Sequence, residues 1–179
     1  FLYAVLVGTY SLYIKRIPFM DAFFLTLLYM LRIYVGLLVI DYSNMSQAAV
    51  IFSFFFFFFL VLVKRHTELL LYVNSLENNP TGRGYKTGNI NLIQSIAVTS
   101  ALISLVVLGL YIESPKVQAL YTSSTYLWAV ELSCLLWCVN VIVCVRKGKM
   151  HNDPIVFAFT NKISLALFFT SIFFIVLSL

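Results

Sequence analysis

Six runs of apolar residues, at 1–14, 19–40, 47–63, 92–112, 121–145 and 163–179, alternate with polar gaps along the chain. None shows the two-residue alternation of a half-buried strand, and positions 54–59 are six consecutive phenylalanines. Uninterrupted apolar stretches approaching the roughly 20 residues that cross a bilayer predict helices, because a helix satisfies its own backbone groups in lipid. The predicted fold class is an all-α integral membrane protein with about six transmembrane helices in a single domain, residues 1–179. The first run is short for a span, and Phe1 opens it without a basic start or a cleavage site. The chain therefore reads as the C-terminal part of a longer protein.

Composition sharpens this picture. Of the 179 residues, 61% are hydrophobic and only 11% charged, which excludes a water-soluble enzyme and a disordered tail. Cys134, Cys138 and Cys144 share one apolar run, so they read as small hydrophobes and not as a disulfide framework. The formal net charge is +5, but the surplus is confined to the gaps, which argues against nucleic acid and for membrane topology. Nine of the twelve Lys and Arg residues fall in the first, third and fifth gaps. The positive-inside rule then places those loops in the cytoplasm, with a bacterial inner membrane as the expected location.

Candidate chemistry concentrates in the same gaps. Lys64, Arg65, His66 and Glu68 stand where the third run leaves the bilayer, and the long gap after them carries Gly82-Arg83-Gly84-Tyr85-Lys86. Glycines flanking an arginine let backbone N–H groups approach an anion while the guanidinium grips it. The fifth gap runs Arg146-Lys147-Gly148-Lys149 to Asp153-Pro154. His66 and His151 have no neighbouring cysteine, which speaks against zinc. Within the bilayer, Asp21 and Arg32 lie on the second run and Glu131 on the fifth. The estimated depths of Arg32 and Glu131 overlap, which predicts an intramembrane ion pair.

Taken in order, these motifs resemble the UbiA superfamily of intramembrane prenyltransferases. The residues that carry the likeness are Tyr10-Ser11-x-x-x-Lys15-Arg16, Asp21 with Leu31-Arg32-x-x-x-Gly36, Val63-Lys64-Arg65-His66-x-Glu68-Leu69, Gly82-Arg83-Gly84-Tyr85 and Met150-His151-Asn152-Asp153-Pro154. The nearest branch is the polyprenyl-phosphate phosphoribosyltransferase-like members. The six segments would match helices four to nine of the nine-helix bundle, and the magnesium-holding N-D-x-x-D motif would lie before residue 1. A second aspartate-rich motif is expected after the third run, where this chain instead has Lys64-Arg65-His66-Thr67-Glu68. That departure favours phosphoribosyl transfer from phosphoribosyl pyrophosphate to a polyprenyl phosphate over prenyl-diphosphate transfer to an aromatic or lipid acceptor.

The resemblance implies Mg2+ as cofactor and assigns roles residue by residue. Lys64, Arg65 and Glu68 would be catalytic. Lys15, Arg16, Arg32, Arg83 and Tyr85 would bind substrate phosphate, and Asp21 and Asp153 would help hold metal. A helical bundle or transporter whose loops only set topology is the alternative from outside the enzymes.

Overall fold

The computed structural model describes residues 2–39, 46–74, 84–150 and 153–179. Among them every element is helical: α1 (Leu2–Leu12), α2 (Met20–Val39), α3 (Gln47–Asn74), α4 (Ile90–Ile112), α5 (Pro115–Leu120), α6 (Leu127–Arg146), α7 (Pro154–Thr160) and α8 (Lys162–Ser178). Four helices are each long and apolar enough to cross a membrane, and α7 with α8 would make a fifth. The protein is thus a helical membrane protein. The described residues give four or five candidate spans where the sequence pattern predicts six. The shortfall comes from two places. Helix α1 has only 11 residues, about 17 Å at 1.5 Å per residue, against a hydrocarbon core of about 30 Å. At the other end of the chain, α7 and α8 are bent by 81° at Asn161.

The sequence pattern also ends the third segment too early. Helix α3 continues past Val63 through the charged stretch to Asn74, 28 residues in all. Residues 64–74 contain no Gly or Pro to stop it, and Leu69 is buried, so one face of this extension packs and takes Arg65 in with it, while Lys64 and Glu68 stay partly exposed. At about 42 Å, α3 reaches beyond the hydrocarbon layer.

Helix α3 is the hub. It packs most extensively on α4 and also contacts α2, α6 and α7. The α4 face is made of small residues, Ala97, Ser100, Ala101 and Ser104, all buried, which let two backbones approach where lipid offers no hydrophobic drive. The Ser100 hydroxyl donates to the carbonyl of Phe55 at 2.7 Å. The phenylalanine run does not face one way. Phe59 is fully buried, while Phe56 packs on Trp137 of α6, ring centroids 5.7 Å apart, and Phe57 stacks on Tyr29 of α2 at 5.7 Å. Helix α6 in turn lies against α8. The C-terminal ends of α1, α3 and α6 and the N-terminal ends of α2, α4 and α7 gather on one side of this bundle, as the contacts below show.

Candidate functional site

Arg65 is the centre of that polar end. Its side chain is 2% exposed, held on the inward face of α3 beside Leu62 and Leu69. A guanidinium cannot shed its charge when buried, so its surroundings must neutralise it. Here three helices do so. Its Nε meets the Asp21 carboxylate, from the first turn of α2, at 2.5 Å. Its Nη1 donates to both Glu68 carboxylate oxygens at 3.0 and 2.8 Å. Its Nη2 donates to Tyr10 Oη of α1 and to Asp21 Oδ1, both at 3.3 Å. The Tyr10 hydroxyl donates to Asp21 Oδ1 at 2.6 Å, closing the ring.

One residue earlier on α3, Lys64 points to a different neighbour. Its Nζ binds Asp153 at 2.8 Å, with both side chains one-third exposed. Asp153 also caps α7, accepting from the Ile155 backbone N–H at 3.0 Å. Partial burial pushes the Asp153 carboxyl up, but the hydrogen bond from Lys64, the Ile155 amide and the charge of Lys64 together hold it below its ordinary value.

The third arm is a clasp between the turn before α2 and the strip before α4. Ile17 is extended, as a residue preceding proline is pushed to be. After Pro18, Phe19 adopts φ 65°, a left-handed conformation that is costly for a bulky side chain. Its N–H donates to the Tyr85 hydroxyl at 2.9 Å, and its ring meets the Tyr85 ring edge-on at 5.9 Å. Tyr85 is 2% exposed, and burial pushes its hydroxyl above the ordinary tyrosine value. Gly84 leaves room here, because a Cβ would collide with the Arg16 carbonyl oxygen and the Pro18 ring.

The candidate residues therefore divide. The structure brings Asp21, Arg65 and Glu68 into one cluster, Lys64 and Asp153 into an adjoining pair, and Tyr85 against the turn that leads to Asp21. Lys15 and Arg16 occupy the turn Ile14–Arg16 at the same end, with Arg16 exposed. Arg83 and His151 lie outside the described residues. Arg32 stands apart, exposed on α2, its guanidinium 5.3 Å over the ring of Tyr29.

The predicted Arg32–Glu131 pair does not form among the described residues. Glu131 faces α4 instead, where a Cβ on Gly109 would lie 3.2 Å from its carboxylate. Depth matching alone cannot choose between the faces of a helix, and Arg32 and Glu131 take different ones.

Asp21 and Asp153 do not fit a shared magnesium site. Asp21 is fully buried under Arg65 and Tyr10, and Asp153 is committed to Lys64 and to the α7 cap. Octahedral magnesium requires carboxylate oxygens open to it and to its waters. Among the described residues no group of three or more His, Cys, Asp or Glu side chains is placed to hold a metal ion.

Sequence reasoning undervalued two residues. Tyr10 is a tyrosine at the end of an apolar helix, an unremarkable interfacial residue until Asp21 is placed beside it. Arg146 read as a topogenic charge, yet its guanidinium donates to the side-chain oxygen of Gln94 on α4, once that amide is turned to face it. Buried His66 lies beside both.

Among curated proteins, the chain is 31% identical over 163 residues to "Uncharacterized protein y4nM" of Sinorhizobium fredii (strain NBRC 101917 / NGR234). The match covers 90% of this chain and 31% of the relative, so the chain spans about a third of the length of the curated relative it matches. No family model matches the chain. No solved structure matches it.

Proposed function

We propose that this chain belongs to a membrane transferase acting on isoprenoid phosphates, of the UbiA-like kind, that moves phosphoribose from phosphoribosyl pyrophosphate to a polyprenyl phosphate. The observation that carries the reading is the charged layer at one end of an otherwise apolar bundle. There Lys64 follows Val63 beside a buried Arg65 neutralised by Asp21 and Glu68, and Lys15 and Arg16 lie in the turn before α2 at the same end, at the level where a lipid phosphate meets helix ends. In this reading the polar end faces the cytoplasm of a bacterial inner membrane, and the apolar outer faces of the helices meet the isoprenoid tail.

The residues take different parts in such a reaction. Lys64, one-third exposed, together with Lys15 and Arg16, neutralises phosphate oxygens as charge develops on the leaving group. Arg65 has both terminal nitrogens hydrogen-bonded by Asp21, Glu68 and Tyr10 and its Nε paired with Asp21, so it is a positioning residue that fixes α1, α2 and α3 around the phosphate level. Arg83 and the rest of its loop join the phosphate-binding set only through the resemblance. Magnesium enters the proposal on the same basis, and no step is routed through it.

The test uses membranes containing the complete gene product. Labelled phosphoribosyl pyrophosphate and unlabelled polyprenyl phosphate should yield label in the lipid extract, and Lys64→Ala should lower turnover by about tenfold or more, as removal of a charge-stabilising donor does. A parallel arm with labelled polyprenyl diphosphate and an aromatic or lipid acceptor distinguishes classical prenyl transfer. The commitment of Arg65 to Asp21 and Glu68 favours a second reading, a non-catalytic bundle held together by its ion pairs. Absence of transfer in both arms from well-folded protein would select it.

A further inference from the structure

Helix α7 is short, strongly apolar and oddly placed. It starts at Asp153, tied to Lys64 at the polar end of the bundle, and ends at Asn161, where the chain turns by 81° into α8. Helix α8 then runs the height of the bundle. The Ser178 carbonyl at its far end accepts from Ser123 N–H at 3.3 Å, and the Leu179 carbonyl accepts from the Thr122 hydroxyl at 2.8 Å. Both partners precede α6, at the end opposite Arg146. With 17 residues, α8 is about 26 Å long and covers most of the roughly 30 Å hydrocarbon layer by itself.

The turn between them is fixed from inside the bundle. The Asn161 side-chain oxygen accepts from Ser164 N–H at 3.0 Å, capping α8. The Asn140 amide of α6 donates to the same Asn161 oxygen at 3.3 Å and to the Ser164 hydroxyl at 3.5 Å. The bend is therefore specified by side chains and is not a frayed end. An axis nearly perpendicular to a membrane-crossing helix lies in the plane of the membrane. Along α7, Pro154 and Phe157 are buried against the bundle, whereas Ile155, Val156 and Phe159 are 51, 58 and 66% exposed. Lys149 precedes the helix and Lys162 follows it, both exposed.

We infer that α7 lies in the membrane plane at the boundary of headgroups and acyl chains, on the polar side of the bundle, with Ile155, Val156 and Phe159 embedded in lipid. The occupant of this face is the bilayer that the neighbouring helices cross. The apolar side chains favour the acyl boundary, and the flanking lysines reach anionic headgroups. Residues 154–178 then cross the membrane once, through α8 alone. Because Asp153 caps α7 and binds Lys64, the in-plane helix also ties the charged cluster to headgroup depth.

The test places a single tryptophan on α7, as Val156→Trp or Phe159→Trp, in a background carrying Trp128→Phe and Trp137→Phe. The purified full chain is reconstituted into phosphatidylcholine and phosphatidylglycerol vesicles in which acyl chains carry bromine at a shallow, middle or deep position. For both reporters the largest fluorescence loss should occur with the shallow bromine, with little quenching by aqueous acrylamide. Strongest quenching from the deep position would show that α7 enters the core, and the inference fails. Strong acrylamide quenching, or a signal insensitive to both quenchers, would place the helix in water or under protein and overturn it equally. Two reporters guard against one misfolded variant, and a protein monodisperse in detergent is required of both.

Discussion

Replacing Arg65 by methionine keeps the aliphatic stem on α3 and removes the charge from beneath Asp21. Both side chains are at most 2% exposed, so the orphaned carboxylate stays dry. Breaking a buried pair by removing one partner costs about 3–5 kcal/mol. The Glu68 contact adds little, because Glu68 is 26% exposed and water compensates its loss. Asp21→Asn should cost less, about 1.5–3 kcal/mol, since Glu68 continues to neutralise Arg65. In the double variant neither charge is buried, and the total should fall short of the sum of the single effects by roughly 1–3 kcal/mol. The assay is unfolding in mixed detergent micelles followed by tryptophan fluorescence, with Trp128 and Trp137 as reporters on α6. An Arg65→Met cost below about 1 kcal/mol, or strict additivity in the cycle, would refute the placement of a paired, desolvated charge at this position.

Four further outcomes follow from the same geometry. Gly84→Ala should destabilise the protein by about 1–3 kcal/mol, because the new Cβ meets the Arg16 carbonyl and Pro18 Cδ; a neutral melting temperature in detergent would contradict the clasp. Asp153 is held below its ordinary value by Lys64 once partial burial is overcome, so its contribution is complete above the unfolded carboxylate value of about 3.9 and is lost as pH falls through the lower folded value. Acid titration of stability should therefore be shallower in Asp153→Asn than in the native chain across that window. Exchanging the charges of Arg32 and Glu131 should give purely additive effects in a stability cycle, since the two do not meet. Cysteines placed at positions 86 and 147 should resist an impermeant thiol reagent in intact cells, and strong labelling would put the polar end outside.

Much of this protein is determined by its sequence. The apolar runs dictate helices, because no other open-chain structure satisfies its backbone in lipid, and the clustering of Lys and Arg in alternate gaps marks one end of the bundle as charged. The proximity of Lys64, Arg65 and Glu68 is also legible, since neighbours one to four apart on a helix share a level. Their partners are not. Lys64 and Arg65 are adjacent in the chain, yet one turns to Asp153 on α7 and the other to Asp21 on α2, a choice made by the roughly 100° rotation between successive residues of a helix and by which helix packs on each face. The same facing decides against an Arg32–Glu131 pair, which similar depth had suggested. The end of α3 at Asn74, well past Val63, depends on Leu69 being buried by neighbours that no local window contains. The 81° bend at Asn161 requires Asn140 from another helix to be stabilised. Hydrophobic pattern fixes which segments enter the membrane, because transfer from water is a property of each segment alone. Which charges are neutralised and which helices lie flat depends on facing side chains, and those are set only when the helices pack.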